Sequence, residues 1–266
     1  AVLPAGAALS AGTIVASGTF AGSWDVPTSA LATLKVIPAQ YYNGSFDLTV
    51  TATSQDSGKT AQTIKTLHVD VAPALSPPTV TLTATSAETA TLTAHAAPIS
   101  IVSPDSVSSI KISGLPAGAS LSLGTTALTA IGGTYTLGAS DNLANLKVNT
   151  PAYFNGTINL SVAVLVSDGG LSQTYTSVQP FVIAPVATAA TITKSDTSGA
   201  ESAAGTTIAL TVSASDPDTS DDSLTVKISG LPAGGTLSAG TLSGGTYTLT
   251  PAQLSGLTMH TPAYFN

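Results

Sequence analysis

The sequence predicts an all-β chain of tandem antiparallel β-sandwich modules, each about 112 residues long. Three observations predict it. First, Ile112-Ser-Gly-Leu-Pro-Ala-Gly118 and Thr150-Pro-Ala-Tyr-Phe-Asn155 return as Ile228-Ser-Gly-Leu-Pro-Ala-Gly234 and Thr261-Pro-Ala-Tyr-Phe-Asn266, and Leu3-Pro-Ala-Gly6 opens a third copy. A period of that size is too long for a solenoid repeat and fits whole domains, each with its own core. Second, apolar residues alternate with polar ones at period two, the mark of half-buried strands, and no helical periodicity is present. Third, glycine, proline and Asx turn signals recur at the short spacing of antiparallel sandwiches.

Residues 1–75 read as the C-terminal part of a first module. Phe46, Leu48, Val50 and Ala52 alternate with Asp47, Thr49, Thr51 and Thr53, so one face of this strand is expected to be core and the other water. Gln55-Asp-Ser-Gly-Lys59 is a turn signal, and Thr63 to Val71 is expected to return as the hairpin partner. Pro73, Pro77 and Pro78 then form a stiff linker. Residues 79–186 form the one module seen whole. Short strands are expected at 79–83, 89–95, 108–113, 134–137 and 143–149, and Ile158, Leu160, Val162, Val164 and Val166 line one face of the longest. Asp168-Gly-Gly170 turns that strand back. Residues 187–266 read as a third module without its last two strands, so the chain is expected to be a window on a longer protein. The other reading is completion by like chains through strand complementation, because open sheet edges invite pairing.

Composition narrows the partners. Charged residues make up 8% of the chain, against about a quarter in an average globular protein, and the formal net charge is −7. The seven lysines are scattered singly and arginine is absent, which argues against a nucleic-acid partner, since phosphate binding needs a clustered basic face. No cysteine is present, so disulfides and thiolate metal sites are excluded. No apolar run reaches the roughly 18 residues of a membrane-spanning helix.

A resemblance rests on the third copy. Glu201, a strand, the acidic run Asp216-Pro-Asp-Thr-Ser-Asp-Asp222, Val226 to Gly234, Gly244-Gly-Thr-Tyr-Thr-Leu-Thr-Pro-Ala-Gln-Leu-Ser-Gly-Leu257 and Pro262 to Asn266 resemble the cadherin-like, immunoglobulin-like tandem modules of large bacterial RTX-type surface adhesins. The resemblance implies a secreted protein at the bacterial surface, exported by type I secretion, whose modules act as an adhesin stalk, filament or biofilm matrix scaffold. It implies neighbouring modules of the same chain as the first partners, with cell-surface or matrix glycans as further ones.

In such arrays calcium sits at module junctions and stiffens them. The resemblance carries this onto Glu88 and its counterpart Glu201, each following the first strand of its module, and onto Asp216, Asp218 and Asp222 of the acidic loop. Oxygen-only ligands suit calcium, and the alternate carboxylates of Asp-Pro-Asp can converge on one cation. The same loop also reads as a solvated acidic turn, because Asp, Pro and Ser favour turns for local reasons. The loop of the second module keeps only Asp105, and calcium is not expected at the first junction.

No catalytic constellation emerges, so a non-enzymatic role is expected. His68, His95 and His260 are expected on the polar side of alternating strands, at non-equivalent positions that disfavour a shared zinc site. No nucleophile elbow accompanies them. Trp24, Tyr135 and Tyr247 follow glycines at comparable positions, which favours packing over sugar stacking. Asn43-Gly44 and Asn155-Gly156 read as Asn-Gly turns rather than glycosylation acceptors. An array of carbohydrate-binding modules and accessory domains of a secreted hydrolase remain the alternatives to the structural role.

Overall fold

The computed structural model describes residues 3–19, 21–218 and 223–266. It is mostly β, as expected, and is built of many small antiparallel sheets. The chain divides into two compact units. One takes Ala1–Ala84, Ala96–Val148 and Ile158–Phe181; the other takes Thr85–His95, Asn149–Thr157 and Val182–Asn266. The second unit therefore joins residues 187–266 with three segments drawn from residues 79–186, the last of them, residues 182–186, continuous with 187.

In the first unit, Gly44–Asp56 and Lys59–Val71 form the expected hairpin, in unbroken register from Gly44↔Val71 to Asp56↔Lys59. The connection is the two-residue turn Ser57-Gly58, with φ of 46° and 80°. Positive φ at both positions matches the right-handed twist of the flanking strands, and glycine takes it without a Cβ clash. The expected core face did not follow: among the described residues 3–75 none is buried, and Val50 is 49% exposed. Among the described residues this hairpin is a two-stranded sheet of its own.

The remainder of this unit has a core. Ser106–Ser113 pairs antiparallel on one side with Tyr135–Gly138 and on the other with the strand that carries Ser161 to Ser167. Ile110, Ile112, Leu137, Val162, Val164 and Val166 are buried from this sheet, and Leu121, Leu146 and Val148 from a second one. Each such side chain contributes about 1.5–3 kcal/mol through removal of apolar area from water. Two short strands, Ile99–Val102 and Ser120–Leu123, add to those expected, and residues 143–145 form a turn of 3₁₀ helix where a strand was expected to start.

In the second unit, Thr246–Leu249 lies between Val226–Ser229 and Thr241–Ser243, and Thr258–His260 lies between Thr207–Ala209 and Thr236–Leu237. Val226, Leu237, Tyr247, Leu249, Leu254 and Leu257 form one buried cluster. The 3₁₀ turn Pro251–Leu254 delivers Leu254 to it and is held by a reciprocal capping box between Thr250 and Gln253. Val182–Ala184 pairs parallel with Thr85–Ala87, and the ladder continues in a 2.9 Å bond from the Glu88 backbone N–H to the Ala184 carbonyl.

Candidate functional site

That last hydrogen bond places the site. Glu88 follows directly on the parallel strand pair, and its side chain is buried, with 6% exposure. The Asn155 amide Nδ2 donates to Glu88 Oε2 at 2.9 Å. Asn155 reaches it because the preceding loop is pinned: Tyr153 N–H donates to the Thr89 carbonyl at 2.8 Å, with Tyr153 held at a left-handed φ of 57°. Such a backbone costs a non-glycine residue roughly 1–2 kcal/mol, so the surrounding bonds must hold it there. Tyr41 and Tyr264 occupy the same position in their copies, with φ of 63° and 56°.

The second carboxylate comes from the acidic loop. Asp218 is 1% exposed and lies within hydrogen-bonding reach of Glu88. Asp216 stands behind it and shapes the loop, its Oδ1 accepting the Asp218 backbone N–H at 3.0 Å. This Asx turn aims Asp218 inward. Burial, first, then the hydrogen bond and like charge of Asp218, push the Glu88 carboxyl above the ordinary carboxylate range; the Asn155 amide and the Val186 backbone N–H act against that shift. Two buried acids in contact hold a shared proton or need a cation between them.

Of the five carboxylates assigned to calcium, Glu88 and Asp218 are brought together and Asp216 supports the loop. Glu201 is exposed, in a backbone frame that repeats that of Glu88: Tyr264 N–H donates to the Ser202 carbonyl at 2.9 Å, as Tyr153 does to Thr89. Asp222 lies outside the described residues, as does Asp221. Among the described residues no three Asp, Glu, His or Cys side chains gather as one ligand group, so any cation at Glu88 and Asp218 would draw on Asn155 and on backbone or solvent oxygens. Asn155 was read in the sequence as a turn residue. The signal that could have found it is its place in the recurring Thr-Pro-Ala-Tyr-Phe-Asn string, five residues after Thr150 or Thr261.

The counterpart loop of the first unit is built alike with neutral partners. Ser103 replaces Asp216, and its Oγ accepts the Asp105 backbone N–H at 3.2 Å; Asp105 Oδ2 accepts the Ser76 backbone N–H at 2.6 Å. Asn43, the counterpart of Asn155, donates from Nδ2 to Asp168 Oδ2 at 2.6 Å. Each carboxylate here has its own neutral donor.

The histidines divide. His68 is exposed between Asp47 and Asp70, whose carboxylates raise its pKa, the hydrogen bond to Asp47 first. His260 is exposed. His95 corrects the expectation: it is 4% exposed, with Nδ1 2.5 Å from Ser86 Oγ and Nε2 3.0 Å from Thr150 Oγ1, and burial lowers its pKa. Ser86 and Thr150 supply the polar partners that a buried imidazole requires.

No family model matches the chain, and no curated protein matches it.

Proposed function

We propose that this chain is a run of structural modules from a secreted bacterial surface protein, an adhesin stalk or extracellular matrix filament, stiffened by calcium where Glu88 meets Asp218. The observation that carries this reading is the buried pair itself. Glu88 belongs to the segment 85–95 and Asp218 to the loop after Thr211–Ser215, so a cation between them would tie two distant stretches of chain into one unit. Glu88 and Asp218 would supply charged oxygens and Asn155 a neutral amide oxygen, a hard donor set that suits calcium. Bound calcium supplies positive charge that offsets the repulsion between the two acids. Asp216 orients Asp218, and the Val186 N–H orients Glu88.

The role is non-catalytic. Glycans and like chains are the partners this reading brings with it, and export by type I secretion is the route. Among the described residues no helix is long and apolar enough to cross a membrane. Calorimetric titration of the chain with calcium tests the reading. Saturable heat that disappears in Glu88→Gln supports it, and no heat at millimolar calcium rejects calcium stiffening.

A further inference from the structure

Glu88 and Asn155 come from two segments, 85–95 and 149–157, and a buried imidazole joins them. His95 stands on Thr93–Ala96. Its Nδ1 lies 2.5 Å from the Oγ of Ser86, two residues before Glu88, and its Nε2 lies 3.0 Å from the Oγ1 of Thr150, five residues before Asn155. The backbone carries both contacts onward to the site. Ser86 lies in the parallel ladder that ends in the bond from Glu88 N–H to the Ala184 carbonyl, and Thr150 opens the string whose Tyr153 N–H bonds the Thr89 carbonyl.

The residue 187–266 copy builds the same frame without an imidazole. Gly199, Ile208 and Thr261 stand at the positions of Ser86, His95 and Thr150. Ile208 fills the space over Gly199, where an added Cβ would lie 2.8 Å from Ile208 Cγ1. The bond from Tyr264 N–H to the Ser202 carbonyl still forms, at 2.9 Å. An apolar pair therefore suffices for the frame. What the histidine adds is a group that titrates near neutrality.

We propose that His95 is a positioning residue of this site, a proton-operated clasp that holds the Glu88 segment to the Asn155 segment while neutral and loosens both when protonated. The neutral ring has one N–H and one lone pair, which two hydroxyls satisfy, one accepting and one donating. An added proton makes both ring nitrogens donors, so the donating hydroxyl has to turn, and it leaves a charge buried against neutral groups. Burial lowers the His95 pKa below 6.5, so the clasp is whole above that unfolded value and is lost as pH falls through the folded one. Of the other titratable groups on these elements, Glu88 is engaged with Asn155, Val186 and Asp218, and Lys147 alternates to the face opposite Thr150. A cation gripped by both segments is then opposed by the proton: acid weakens calcium binding, and calcium lowers the His95 pKa further. That coupling rests on the calcium reading of the site, whereas the clasp does not.

Two measurements on the whole chain test this, each at about pH 7 and about pH 5. In EDTA, the hydrogen-exchange protection of the Tyr153 N–H, corrected for intrinsic exchange, should fall with pH in the parent and hold in Ser86→Gly with His95→Ile. In calorimetric titration with calcium, affinity should fall at least about fivefold more in the parent than in that double variant, because proton competition at Glu88 and Asp218 is common to both. His95→Gln, whose amide donates and accepts without titrating, should keep the parent's affinity near neutrality and lose the added pH dependence, a separation that a merely structural role would not give. It also serves if the double variant does not fold. Equal loss of protection in the parent and His95→Gln overturns the clasp whether or not calcium binds, and equal pH dependence of their calcium affinities overturns the coupling. No calcium heat at either pH, with protection that falls in the parent alone, rejects the calcium reading and leaves the clasp standing.

Discussion

Replacing Asp218 with asparagine keeps the shape of the side chain and removes one of two facing charges. In chelator at neutral pH the parent must hold Glu88 and Asp218 together against burial and like charge, and the raised Glu88 pKa states the direction of that cost. A carboxyl whose folded pKa is raised contributes most stability below its unfolded value, near 4.5, and loses it as pH rises through the folded value. The calcium-free parent should therefore melt lower at pH 7 than at pH 5 through this pair, and Asp218→Asn should flatten that slope. With calcium at a hundredfold excess over its dissociation constant the parent gains about 2.7 kcal/mol. For a unit of about 100 residues, each kcal/mol moves the melting temperature by about 4–8 °C, so a rise of about 10–20 °C is expected. Differential scanning calorimetry of parent and variant, each in calcium and in EDTA, measures both effects. A calcium-induced rise of equal size in Asp218→Asn would refute the reasoning.

His95 runs the other way: its folded pKa is lowered by burial, so its contribution is whole above the unfolded value near 6.5 and is lost as pH falls. Ser86→Gly with His95→Ile, the residues at the aligned positions Gly199 and Ile208, should remove this acid sensitivity in pH-dependent urea melts. Ile112→Ala, at a fully buried position, should cost about 2–5 kcal/mol in chemical denaturation, whereas Val50→Ala, half exposed, should stay within about 0.5 kcal/mol. Gly114 has φ +93°, and an added Cβ would lie 2.4 Å from the Asn159 carbonyl oxygen; its counterpart Gly230, at φ +83°, has open space. Gly114→Ala should therefore destabilise by more than Gly230→Ala, by roughly 1–3 kcal/mol in the same melts.

The long strands were legible because their apolar residues alternate without interruption, as from Ile158 to Val166, and because Ser57-Gly58 and Gly169-Gly170 leave only one way to turn. Ile99–Val102 and Ser120–Leu123 are four residues each, too short for alternation to stand out from serine-rich surroundings. His95 was placed on the wrong face because Thr93-Ala-His-Ala96 alternates small and polar residues, and the partners that allow its burial, Ser86 and Thr150, are separated from it in sequence. For the site, the carboxylates of the acidic loop and Glu88 could be picked out by residue type. Asn155 could not, since an Asn-Gly pair already has a local explanation, and its bond to Glu88 spans 67 positions.

The parallel pairing of Thr85–Ala87 with Val182–Ala184 bears on how a tethered chain would carry load. If tension draws residue 85 toward the N-terminal side and residue 184 toward the C-terminal side, two parallel strands slide past each other, and their bonds must fail together. The hairpin from Gly44 to Val71 has its two ends paired to each other, so the same tension opens it one bond at a time. A three-residue parallel ladder extended by Glu88 thus resists pulling better per bond than a hairpin of thirteen-residue strands.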